Sequence, residues 1–341
     1  MKLELFDRII DVFSISPRTL DIQEYWSNID KTIMFSEKYK YSGLLLFTGH
    51  DTYFDPWIVA NIVMSKSTQL SPLIAVNPIY MHPFTVAKNI NSLSYLYNRK
   101  VYINCVTGTS KNDLLAFNDK LNHDERYHRL VEYFLLVRKI LDSSSPVSHS
   151  SKYYLVNELQ LRPKIANNLS PVFFLAGSSV AAQESSVKLD ATWMNVAYPV
   201  LDRESKVMKP QSNKGVYLGI ITRETEMEAL EVAKKLFAYD EDDFDVLAYS
   251  MNNTDSEWKH NLFKLSSEVA TDFKKGGFQL LPFKSFKADC PYIIGSYQQV
   301  EEYLTSYILD GIASIIIDTF ASEEEYFHIN KVFENIKNNQ K

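Results

Sequence analysis

The stretch VFFLAGSSVAAQESS, residues 172–186, passes from an apolar run into a helix-like segment through Gly177, Ser178 and Ser179. Glycine lets a ligand approach the backbone, and the first amides of a helix have no intrahelical acceptor, so this junction could seat an anion. It could equally be a short turn whose serine caps the helix. Other polar groups also follow apolar runs. FTGHDTYFDPW carries Thr48, His50 and Asp51, and NPIYMHPF carries Asn77, Tyr80 and His82. NCVTGTSKND carries Asn104, Thr107, Gly108 and Thr109, and HDERYHR carries His123, Arg126 and Tyr127. This is an inventory of amides, hydroxyls and histidines. It lacks the carboxylate cluster that magnesium or calcium needs, and no metal is expected. Gly177-Ser178-Ser179 does not match the Gly-x-Ser-x-Gly elbow of a hydrolase. Neutral hydrogen-bonding groups around one anion seat suit a bound cofactor that performs the hard chemistry itself.

Each of these residues also has a plain structural reading. His123 and Arg126 could cap and pair at a helix start, and His82 before Pro83 could belong to a turn. Asn104 within an apolar strand is harder to place so simply. Burying an unpaired amide costs about 1–3 kcal/mol, so it needs a backbone or ligand partner. Cys105, one residue on, faces the opposite way if the strand alternates, and reads as inert core.

These residues need elements to position them. Strands are expected at 9–16, 43–47, 73–76, 101–106, 172–176, 189–194, 215–222 and 313–318. Helices are expected at 20–39, from 55 to 66, from 84 to 97 and from 124 to 141, and again after residues 177, 222 and 321. Eight apolar runs alternating with helices predict a parallel sheet buried on both faces. At 341 residues, one α/β domain over 1–341, a (β/α)8 TIM-like barrel, fits better than an open doubly wound sheet. No Gly-x-Gly-x-x-Gly follows the first strand, which weakens a Rossmann reading. Residues 143–151 read as an irregular Ser-rich stretch. Residues 238–290 show no clear period and read as an insertion, either a lid or a solvated excursion on the barrel rim.

Composition narrows the function classes. The chain is 45% hydrophobic and 23% charged, with a net charge of -6, and has no basic block to grip nucleic acid or anionic membrane. Two cysteines, Cys105 and Cys290, argue against a disulfide framework and most zinc sites. The N-terminal residues lack a signal-peptide core, and no apolar run is long enough to span a bilayer. A cytoplasmic protein is expected.

Read together, YSGLLLFTGHDTYFDPW, NSLSYLYNRKVYINCVTGTS, HDERYHRLVEYF, FFLAGSSVAAQE and YLGIITRETEMEALEVAKKL resemble the bacterial luciferase-like family of flavin-dependent monooxygenases. The alkanesulfonate monooxygenase branch is nearest. The stretches run in order from about residue 40 to 237, with a weaker echo at IIIDTFASEEEY. The resemblance implies a TIM-like barrel holding reduced flavin mononucleotide (FMNH2) supplied by a separate flavin reductase. The flavin then reacts with oxygen to a C4a-peroxyflavin that attacks an organic substrate. It places Asn104 and Thr107 at the flavin ring, Tyr127 near the ribityl-phosphate, and Gly177, Ser178 and Ser179 at the phosphate. His50 falls where members carry a histidine beside the flavin and is the expected proton-transfer group. A homo-oligomer is expected on the same ground.

The sulfonate branch carries an arginine and, two residues on, a histidine where this chain reads Tyr217-Leu218-Gly219. Its tyrosine after the last strand falls near Phe320, and its cysteine near Thr52 or Tyr53. Tyr217 and Phe320 are therefore the expected substrate-lining residues, in a substrate half rebuilt with aromatic and neutral groups. A buried unpaired anion is very costly, so a simple sulfonate is a poor fit. The expectation is hydroxylation in specialised, antibiotic-type biosynthesis, of a small molecule or a carrier-protein-bound acyl group. The alternatives are an alkanesulfonate-type desulfonating monooxygenase, a non-catalytic flavin-binding protein, and a dehydrogenase using deazaflavin.

Overall fold

The computed structural model describes residues 10–19, 21–50, 52–199, 213–239, 241–268 and 273–338. In chain order the elements begin with β1 (Asp11–Ile15), α1 (Ile22–Lys38), β2 (Gly43–Leu46), α2 (Pro56–Lys66), β3 (Leu73–Val76) and α3 (Pro83–Tyr97). β4 (Tyr102–Cys105), α4 (Lys111–Ala116), α5 (His123–Asp142), β5 (Val147–Ser150), β6 (Leu155–Leu159), β7 (Val172–Ala176), α6 (Val180–Lys188) and β8 (Thr192–Val196) follow. The chain continues through β9 (Lys214–Arg223), α7 (Glu226–Leu236), α8 (Glu241–Asn252), α9 (Glu257–Glu268), β10 (Gly277–Gln279) and α10 (Leu281–Lys284). It closes with β11 (Tyr292–Ser296), α11 (Tyr297–Leu309), β12 (Ile312–Asp318) and α12 (Glu323–Asn338). All eight expected strands are present, as β1 to β4, β7, β8, β9 and β12. The fold is the expected α/β class, a (β/α)8 TIM-like barrel.

Two compact units divide the chain, one formed by 1–42 with 194–341 and one by 43–193. In 43–193, β2, β3, β4 and β7 run parallel in that order, with Leu45 opposite Leu73, Ile74 opposite Ile103 and Asn104 opposite Phe174. β2 and β3 are buried at every position, as strands covered on both faces must be. Their helices are fixed by local chemistry. Asp55 caps α2 ahead of Pro56, and Asn122 with Glu125 forms a capping box on α5. His82 is the N-cap of α3, its Nδ1 accepting from the Phe84 amide at 3.1 Å, so it is built into the helix start.

In the other unit, β1 pairs with β12, and β12 with β9, all parallel. The ten-residue β9 is shared lengthwise. β12 pairs along Lys214–Gly219 on one edge, and β11 along Gly219–Arg223 on the other. Gly219 pairs with both, and a Cβ there would stand 2.1 Å from the Tyr292 ring. The position of the sulfonate branch's histidine is thus closed by an aromatic ring.

Two features depart from the sequence reading. Residues 143–151 are not wholly irregular, because β5 forms an antiparallel hairpin with β6. Residues 238–290 hold α8, α9, β10 and α10, with residues 240 and 269–272 outside the described set, as is Ile9 of the first expected strand. Among the described side chains, α8 buries Leu247 and Met251 deeply, and α9 Leu262 and Ser266. A stripe two residues wide gives too faint a period to read. Among the described residues, no helix is long and apolar enough to cross a membrane.

Candidate functional site

At the end of β7 the backbone turns at Gly177, whose φ is +147°. A Cβ there would stand 2.7 Å from both Tyr127 Oη and Ala182 Cβ, so the turn needs glycine for its conformation and for the close approach of Tyr127. Ser179 is buried, and its Oγ accepts from the Ala182 amide at 3.1 Å. The serine cap anticipated as the plain reading is therefore present. The cap does not use up the helix start, because the first backbone bond of α6 runs from Gln183 N to Ser179 O. The Val180 and Ala181 amides precede it and have no intrahelical acceptor. Ser178 is half-buried. Trp193 Nε1 donates to the Gly177 carbonyl at 2.7 Å.

Asn104 and Thr107 lie at the end of β4. Tyr102, Ile103 and Cys105 are buried, while Asn104 alone in the strand is half-buried. Asn104 therefore escapes part of the burial cost that the apolar run implied. Thr107 is buried. Burial pushes the Cys105 thiol well up, as expected of inert core.

The structure brings His50 against a residue that the sequence did not single out. His50 Nδ1 stands 2.8 Å from Asp113 Oδ1, and Tyr80 donates to Asp113 Oδ2 at 3.3 Å. Asp113 sits in the first turn of α4, with its amide bonded to the Ser110 cap. Phe117 lies edge-on to the His50 ring and tilted against Tyr80. A carboxylate on Nδ1 holds the imidazole in the tautomer that leaves Nε2 for chemistry. The His50 side chain is 42% exposed and the Asp113 side chain 15%. His123 pairs with the neighbouring Asp124 and lies tilted against Tyr127. Asp51 lies outside the described residues.

Tyr217 and Phe320 belong to the other unit, and their surroundings correct the expectation of neutral groups. Arg18, just past β1, donates to the Tyr217 hydroxyl, to Asp289 at 3.0 Å and to Asp318 at 3.3 Å. Tyr217 donates in turn to Asp318 at 3.3 Å, and Lys259 of α9 holds the other oxygen of Asp289 at 3.2 Å. Cys290 Sγ and the Tyr292 hydroxyl point at Asp318 Oδ2 and its carbonyl. Phe320 packs on Phe237. Burial tends to raise the Asp289 carboxyl, but Lys259 and Arg18 outweigh it and bring it to about 2. Burial raises Asp318, against the pull of Arg18. Burial likewise pushes the Tyr217 hydroxyl and the Cys290 thiol well up. The cation missing from β9 is supplied by Arg18, which no local motif announces because it lies 199 residues from Tyr217.

A family model described as luciferase-like monooxygenase matches residues 9–314. The chain is 29% identical over 323 residues, 93% of each protein, to the 4-(gamma-L-glutamylamino)butanoyl-[BtrI acyl-carrier protein] monooxygenase BtrO of Niallia circulans. Among solved structures it resembles DmoA from Hyphomicrobium sulfonivorans, with a TM-score of 0.75, 15% identity, and 98% of this chain and 89% of that one covered. It also resembles the oxygenating constituent of 3,6-diketocamphane monooxygenase from Pseudomonas putida, a type II Baeyer–Villiger enzyme in complex with FMN. That match has a TM-score of 0.66, 12% identity, and 95% of each chain covered.

Proposed function

Since the chain belongs to the luciferase-like monooxygenase family, we propose that it is a two-component enzyme that uses FMNH2 and O2 to hydroxylate an acyl group borne on a carrier protein. The observation that carries the flavin half is the turn at Gly177. The missing Cβ lets the Tyr127 hydroxyl approach the turn, and two helix-start amides beside it have no intrahelical acceptors. These donors fit a phosphate. Gly177, Ser178 and Ser179 with Tyr127 would hold the phosphate end, and Asn104 and Thr107 would bind the ring. When bound, the reduced flavin supplies the electrons that activate oxygen.

The chain's own contribution to proton movement centres on His50. Asp113 takes the Nδ1 proton as a hydrogen bond, so Nε2 is the atom that accepts or returns a proton during turnover. Tyr80 and Phe117 hold the pair in place, through the second carboxylate oxygen and by ring contact.

The carrier-borne acyl group is supported by the similarity to BtrO, which spans nearly the whole of both chains. A sulfonate is disfavoured by the Arg18 surroundings. The guanidinium already lies on two aspartates, which would face an incoming anion with like charge. A separate reductase, a homo-oligomeric state and a cytoplasmic setting complete the reading, and these rest on the resemblance and the sequence. The test is intact-mass spectrometry of a carrier protein loaded with the 4-(gamma-L-glutamylamino)butanoyl group, incubated with the enzyme, FMN and a flavin reductase. Gain of one oxygen on the carrier-borne acyl group, and not on the free acid, is the expected result. Oxidation of the free acid alone would refute the carrier requirement.

A further inference from the structure

Trp193 lies next to the phosphate turn and has no assigned role. We propose that Trp193 is a positioning residue for the flavin phosphate, its indole N–H fixing the Gly177–Ser178 peptide in the orientation the phosphate needs. This rests on reading the Gly177–Ser179 turn as the phosphate seat.

The indole is 8% exposed, and its Nε1 donates to the Gly177 carbonyl at 2.7 Å, a short bond in a buried setting. The 177–178 peptide is trans, as the one cis bond among the described residues is Arg162–Pro163. In a trans peptide the carbonyl and the following amide point to opposite sides. A carbonyl held on Trp193 therefore directs the Ser178 amide away from Trp193. Glycine alone would not secure this, because its lack of a Cβ frees the peptide on either side to rotate. At φ +147°, Gly177 occupies backbone space where side-chain sterics impose little, so an outside restraint is needed. Trp193 provides one, arriving from β8 sixteen residues later. The Ala182 amide on the Ser179 cap then fixes the next part of the turn.

A purely structural reading is also available, since a buried indole N–H needs some acceptor and Gly177 supplies it. The two readings separate on the phosphate, the one group that distinguishes FMN from riboflavin. The experiment is anaerobic titration of the full-length protein with photoreduced FMN and with photoreduced riboflavin, for the wild type and Trp193→Phe. The expected result is that the wild type prefers FMN. Trp193→Phe then weakens FMN binding about three- to tenfold, the scale of one neutral hydrogen bond, and leaves riboflavin unchanged. Equal weakening of both flavins, or unchanged FMN affinity, overturns the positioning role and leaves the seat standing. A wild type indifferent to the phosphate overturns the seat, and this proposal with it. Where Trp193→Phe does not fold, benzothienylalanine at 193 keeps the bicyclic shape, replaces the N–H by sulfur, and is read by the same outcomes.

Discussion

Gly177→Ala is the substitution whose cost can be worked most directly. The added methyl would stand 2.7 Å from Tyr127 Oη and from Ala182 Cβ, where ordinary contacts are 3.4–4 Å. Each neighbour must retreat by 0.7 Å (3.4 less 2.7) to reach even the near end of that range. Tyr127 is 6% exposed and Ala182 fully buried in the first turn of α6, so neither retreats freely. Overpacking of this kind costs about 1–3 kcal/mol. Holding a non-glycine residue near φ +147° adds about 1–3 kcal/mol. A total destabilisation of about 2–6 kcal/mol should appear in urea unfolding. Relief by movement of α6 would displace the Val180 and Ala181 amides, so affinity for photoreduced FMN should fall by more than about tenfold. Tyr127→Phe removes one of the two clashing atoms, so Gly177→Ala should cost less in that background, a coupling that a double-mutant cycle reads. Wild-type stability together with wild-type FMN affinity in Gly177→Ala would refute both the packing argument and the seat.

Asp113→Asn removes the charged acceptor of His50 Nδ1–H and should lower kcat by about 10²–10³-fold while flavin affinity is retained, as steady-state kinetics and titration will show. Wild-type kcat would take the His50–Asp113 pair out of the mechanism. The Asp289 carboxyl titrates at about 2 in the fold, against about 3.9 in an unfolded chain. Its contribution to stability is thus fully present above about pH 4 and is lost as pH falls through about 2. Asp289→Asn should flatten the stability curve between those pH values, and equal slopes in the two proteins would contradict the assignment. Cys105 and Cys290 are both buried with raised thiol pKa values, so a thiol reagent should label neither in the native protein and both in urea. Labelling of native Cys290 would show that the Arg18–Asp318 cluster opens.

The barrel strands were legible because strands covered on both faces are apolar throughout. LIAV and GLLL cannot be spent on a solvent face. The turn at Gly177 was legible because strand, glycine, serines and helix are contiguous there. Contacts distant in sequence were not. His50 and Asp113 are joined by folding alone, and the arginine beside Tyr217 comes from the end of another strand, so reading β9 by itself suggested that the cation was gone. The β5–β6 hairpin was hidden for a different reason. VSHS and LVNEL are short and polar, and Leu155 is 77% exposed, so neither strand shows the alternation of a half-buried sheet.

Whether this protein holds reduced flavin and controls its reaction with oxygen is read by stopped-flow absorbance of the anaerobic complex with photoreduced FMN, mixed with oxygenated buffer. Oxidised flavin should reappear more slowly than from free FMNH2, and His50→Gln and Asp113→Asn should change this rate. Flavin that binds and reoxidises at the free-solution rate in all three proteins would contradict such control and favour a binding protein without turnover.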